Sequence, residues 1–114
     1  MAISEPYANT ATIGTTEYSL PNNSTTLTPI TVDGIYQVFI ELAAMAAGDQ
    51  YRIYIKEKVT SAGTQRVIYE AIVTGAQPGP FVTPTLILLH GWDVTMTRLA
   101  GTDRSISWSI RQVA

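Results

Sequence analysis

The chain has no cysteine and only one histidine, His90, among its 114 residues. These two absences exclude a thiol nucleophile, disulfide exchange, a cysteine-ligated zinc and a three-histidine metal site within one chain; the redox compartment stays open. Charge is also sparse, at 14% of residues, with nine acids and seven bases scattered to a net −2. No basic block is present, so no nucleic-acid partner is expected. The start, MAISEPYANT, lacks a basic and then apolar leader pattern, and no signal peptide is expected. The longest charge-free apolar stretch, Leu42 to Ala47, falls well short of the ~20 residues of a membrane-spanning helix, so no membrane partner is expected. GxxxxGK[ST] and GxGxxG are missing too, which removes sequence support for nucleotide binding.

What remains is a set of short alternating segments between Gly, Asp and Pro. Tyr36, Val38, Ile40 and Leu42 share one face of an extended run. Tyr51, Ile53 and Ile55 do the same in the next, and Val67, Tyr69, Ala71 and Val73 in the third. This two-residue period belongs to strands covered on one side. ELAAMAAGD has local helical propensity but spans only about two turns, so a strand end and short turn are expected. Thr60 to Thr64 is a hairpin-length link. Thr74–Pro80 holds two prolines and two glycines and cannot continue a ladder; it reads as a crossing between sheets or an exit to a rim. Leu86 to Leu89 is continuously apolar and reads as a strand covered on both sides. Trp92, Val94 and Met96 alternate with Asp93, Thr95 and Thr97 as a one-sided strand, and Ile106, Trp108 and Ile110 close the series.

Seven or eight short strands without a long helix predict an all-β fold, an antiparallel β-sandwich with jelly-roll-like wiring as one form and a closed small barrel as the rival. Trp92 and Trp108 are the expected core anchors. Residues 1–31 are rich in Thr, Ser, Asn and Pro, and Thr15–Leu20 is the one strand expected there. Two segments follow: 1–31 as an extended arm or edge strand, and 32–114 as the sandwich.

Candidate chemistry is thin. His90 reads as a turn or strand-end residue, without a nucleophile elbow to serve. Asp33, Asp49, Asp93 and Asp103 mostly fall at expected turns, where Asp bonds nearby backbone, and their spacing matches no calcium loop. Glu57 and Glu70 are a conceivable carboxylate pair across a hairpin, but neighbouring Lys56, Lys58 and Arg66 favour a solvated charge ladder. No catalytic, cofactor-binding or metal residue is assigned, no cofactor is expected, and the chain reads as non-enzymatic. Tyr54 is an expected outward aromatic; with Tyr7, Tyr18, Phe39 or Phe81 it leaves a minor reading as a glycan-binding platform.

Several pieces of residues 32–113 resemble small β-rich virion proteins of tailed bacteriophages: D-G-x-Y-Q at Asp33–Gln37, A-G-D at Ala47–Asp49, Y-E-A at Tyr69–Ala71, H-G-W-D at His90–Asp93, A-G-T-D-R at Ala100–Arg104 and W-S-I-R at Trp108–Arg111. The resemblance is to capsid decoration, or cement, proteins. It implies a structural role on the outer capsid surface of a virion made in the bacterial host cytoplasm, with the major capsid protein and neighbouring copies of the chain as partners, in a homo-oligomer. A tail or head–tail junction component, or a carbohydrate-binding sandwich module, are the alternatives.

Overall fold

A computed structural model describes residues 2–113; Met1 and Ala114, the outer ends of the two expected segments, lie outside the described residues. Nine strands follow in chain order: β1 (Ile3–Ile13), β2 (Tyr18–Ser19), β3 (Gly34–Glu41), β4 (Gln50–Glu57), β5 (Arg66–Thr74), β6 (Phe81–Val82), β7 (Leu86–Leu88), β8 (Asp93–Ala100) and β9 (Arg104–Val113). They form two antiparallel sheets. One runs β1-β9-β3 with β6 and β7 both on the far side of β3; the other runs β2-β8-β4-β5. With β6 and β7 taken as one interrupted strand, this alternation of early and late strands is the double Greek key of a jelly roll. The chain is an all-β sandwich, and the described residues include no helix.

The alternating segments bury the faces their period dictates. Tyr36, Val38 and Ile40 of β3, Tyr51, Ile53 and Ile55 of β4, and Ile106, Trp108 and Ile110 of β9 all point between the sheets. Trp92 is fully buried and Trp108 nearly so. Tyr36 and Tyr7 pack against the Trp92 ring with centroids 4.7 and 5.7 Å away, while its Nε1 donates to Val32 O at 2.9 Å. The ELAAMAAGD segment makes short turns after β3, closed by Met45 N to Leu42 O and Asp49 N to Ala46 O. Thr74–Pro80 carries the chain from β5 in one sheet to β6 in the other.

Three expectations need correction. The main N-terminal strand is Ile3–Ile13, not Thr15–Leu20, where only Tyr18–Ser19 is extended. β1 pairs with β9 almost throughout, from Ile3 opposite Val113 to Ile13 opposite Arg104, with a bulge between Ser4 and Tyr7 that accommodates Pro6. Its hold is therefore backbone pairing, with Tyr7, Ala11 and Ile13 as its inward side chains. Leu86 to Leu89 is not covered on both sides: Leu88 is buried, but Ile87 is 77% exposed, because β7 is a short edge strand with none of the described residues over its outer face. Conversely β8 is not one-sided. Asp93, Thr95 and Thr97 are buried opposite the core; Glu17, Ser19 and Lys56 close over Asp93 and Thr95 through polar contacts, and Thr97 lies beside Arg52.

Candidate functional site

The residues that sequence reading weighed for chemistry are dispersed, and several have structural partners. Asp49 is buried, with Oδ2 accepting from Arg104 Nε at 2.7 Å and Ala46 N at 2.9 Å, and Oδ1 from Thr102 N at 3.0 Å. The Arg104 hydrogen bond and those two amides hold its carboxyl down at about 2. Asp103 pairs with Arg98 at 2.6 Å. Asp33 is exposed and offers its backbone oxygen to Gln112. Glu57 turns to the corner before β8, where Oε2 accepts from the amides of Leu89 and His90. Glu70 lies instead opposite Tyr54, while Glu57 lies opposite Arg66, so the two carboxylates do not converge. His90 is half-buried, and its backbone oxygen accepts from Lys58 N at 3.0 Å. Among the described residues, no three His, Asp or Glu side chains are placed to hold a metal ion.

Asp93 is the exception to its expected setting. It is the first residue of β8, fully buried instead of facing solvent from a one-sided strand. Its Oδ1 accepts from Ser19 Oγ at 2.7 Å and Val94 N at 2.8 Å, while Oδ2 is buried without a hydrogen-bond partner among the described residues. Burial pushes its carboxyl up to about 6 against the pull of those hydrogen bonds and of Lys56; Glu17 adds a smaller push in the same direction. Beside it, burial works to raise Glu17. Contacts with Lys56 Nζ at 2.6 Å and Thr95 Oγ1 at 2.5 Å outweigh this and leave the carboxyl below its ordinary value. Ser19 passes the network on to Asn22, whose Nδ2 also reaches Thr28 O. These groups fasten the 17–28 segment over β8.

The five aromatics considered as a platform do not assemble. Tyr7 packs on Trp92 and Tyr36, and Tyr18 on Trp108 at 6.0 Å. Phe81 packs against the core. Phe39 and Tyr54 face outward on different sheets. Each is flanked by cations, Phe39 by Arg111 at 3.8 Å and Tyr54 by Arg52 at 4.3 Å.

Exposed aliphatic side chains lie on β5, at Val67, Ile68 and Ile72, and gather in two further places. On the outer face of the five-stranded sheet, register places Ile3 beside Val113, Val113 beside Ile35, and Ile35 beside Ile87, one row across four strands. Ile3, Ile35 and Ile87 are 70%, 40% and 77% exposed. A second row, two ladder rungs away on β3, runs Ala8–Ser109–Phe39–Val82. Beyond it lie Thr10 and Ser107, their hydroxyls 2.7 Å apart. A shallow groove of about 290 Å³ on this side is lined in part by Phe39, Glu41, Pro80, Ser109 and Arg111. The other place is the corner before β8, with a groove of about 440 Å³ lined in part by Pro29, Lys58, Leu89 and His90. Leu89 is half exposed there, and Val59, next to Lys58, is 81% exposed.

Sequence reading missed both sites. The row joins positions 3, 35, 87 and 113, which only strand order and register bring together. No protein-family model and no curated protein matches the chain.

Proposed function

We propose that this chain is a non-enzymatic structural protein that decorates and stabilises a bacteriophage capsid. It sits on the outer surface of the virion and touches both the major capsid protein and neighbouring copies of itself. The observation that carries the reading is the presence of two separate exposed apolar sites, the four-strand aliphatic row and the corner around Val59 and Leu89. A cement protein has to grip more than one neighbour at once. Weak contacts repeated over a lattice then act together, so neither site needs high affinity alone. The carboxylates Asp49, Asp103 and Glu57 bond to nearby structure, which fits a scaffold better than a reaction centre. The phage assignment comes from the motif resemblance, with jelly-roll wiring as a fold-level analogy, since viral shell domains share it with lectins.

The test is addition of purified chain to shells that lack it. Saturable binding together with a higher rupture temperature of the shell supports decoration. Binding only to isolated tails or connectors favours the junction role. Binding to host glycan in place of shells favours the carbohydrate module.

A further inference from the structure

We propose that the outer face of the five-stranded sheet seats a second copy of this chain through the same face, making an isologous dimer. The inference rests on reading that face as a contact surface, and it assigns the occupant.

The shape of the face comes first. β1, β9 and β3 contribute 11, 10 and 8 residues, and β6 and β7 extend the sheet beyond β3. At ~3.3 Å per residue and ~4.8 Å per strand, the face projects to roughly 500–600 Å² before side-chain relief is counted. That is close to the ~800 Å² per partner of a standard stable interface. Gln37 and Arg111 lie between the two apolar rows, while the second row and the area beyond it are short: Ala8, Thr10, Ser105, Ser107 and Ser109. Two sheets stack face to face when their twists match, and a second copy supplies a sheet of the same twist.

Charge then selects the occupant. The outward charges on these strands are Glu5, Glu41 and Arg111, with Arg111 lying over Phe39 and donating to Ser109 Oγ, which in turn bonds Glu5. One cation among two acids suits a partner carrying the same set under a two-fold axis, where each Arg111 has acids of the opposite copy available. A partner of uniform sign would meet repulsion somewhere on the face. The opposite sheet offers less uninterrupted area. Beside the exposed β5 side chains Val67, Ile68 and Ile72 it carries Arg52, Lys56 and Glu70, and its β8 positions are already covered by the Glu17 and Ser19 contacts. Its free edge, β5, also has a bulge opposite Ile55 and Lys56, a feature that guards edges against pairing.

Sedimentation equilibrium of the purified chain tests the proposal, with circular dichroism to confirm that each variant is folded. The wild type is expected to be a dimer at tens of micromolar. Ile35→Glu and Ile87→Glu, both at exposed positions, are expected to weaken association at least 100-fold, while Ile72→Glu on β5 leaves it unchanged. A wild type that remains monomeric at several hundred micromolar overturns the proposal. So does a dimer that survives Ile35→Glu with Ile87→Glu but dissociates with Ile72→Glu. A monomer that still coats shells overturns the dimer alone, and a dimer that fails to coat them overturns the shell reading alone.

Discussion

Asp49 and Arg104 meet through Oδ2 and Nε at 2.7 Å, and this ion pair joins the turn before β4 to the start of β9. The same carboxylate takes the amides of Ala46 and Thr102, and Tyr51 reinforces the corner by accepting from Arg104 N at 2.8 Å. Asp49→Ala strips partners from all three donors. A fall of several degrees in Tm is expected, with Asp49→Asn intermediate, measured by thermal unfolding at pH 7. The pH dependence has a defined sign. The folded carboxyl titrates at about 2, below its ordinary 3.8, so its contribution is fully present above pH 4 and disappears as pH falls through 2.

Asp93 acts in the opposite sense. Its folded value of about 6 lies above the ordinary 3.8, so the native state holds the extra proton between those values. Stability from this group is present below pH 4 and is lost as pH rises through 6, by about 2–3 kcal/mol in all. The facing charges are Lys56 and Glu17. Urea unfolding from pH 4 to pH 8 is expected to show stability falling with pH in the wild type. Asp93→Asn, which keeps an acceptor for Ser19, is expected to flatten that slope and to be the more stable protein at pH 7.5. An unchanged slope would remove Asp93 as its source.

Gly101 and Gly75 separate backbone strain from steric contact. Both have positive φ, +90° and +75°. A Cβ at Gly101 would sit 2.2 Å from Asp49 Oδ1 and 2.8 Å from Gly48 O, whereas one at Gly75 meets nothing within 4 Å. Gly75→Ala is therefore expected to cost about 1 kcal/mol from conformation alone, and Gly101→Ala about 3 kcal/mol or more with the ion pair disturbed. Equal losses for the two in urea unfolding would contradict the account of that corner.

Removing residues 1–13 tests whether the N-terminal segment is part of the fold or a dispensable arm. The deletion uncovers the β9 edge and loses Ile13, which is fully buried. Loss of Ile13 alone is expected to cost about 2 kcal/mol, and the free edge to promote aggregation. A truncated chain with the wild-type unfolding midpoint that stays dispersed would make β1 a loosely held arm after all.

The sequence carried the fold where alternation was clean and central. β3, β4, β5 and β9 could be read from Tyr36 to Ile40, Tyr51 to Ile55, Tyr69 to Val73 and Ile106 to Ile110. β1 was hidden because ISEPYANTATI has few large apolar residues and is held by backbone pairing, which side-chain periodicity does not report. Leu86 to Leu89 looked central because composition cannot tell a doubly covered strand from an edge strand with an apolar outer face. Asp93 looked like an outward residue of a one-sided strand, and its burial depends on Ser19 and Glu17, more than 70 positions earlier. The aliphatic row was invisible for the same reason: long-range register creates it.

The most direct test of the proposed role is the copy number of this chain relative to the major shell protein in purified particles, by quantitative mass spectrometry. The account predicts tens to hundreds of copies in fixed proportion to the shell lattice. A count of about five to twelve, the size of a single ring, would contradict decoration and place the chain at a portal, junction or tail; absence from clean particles would contradict a virion role altogether.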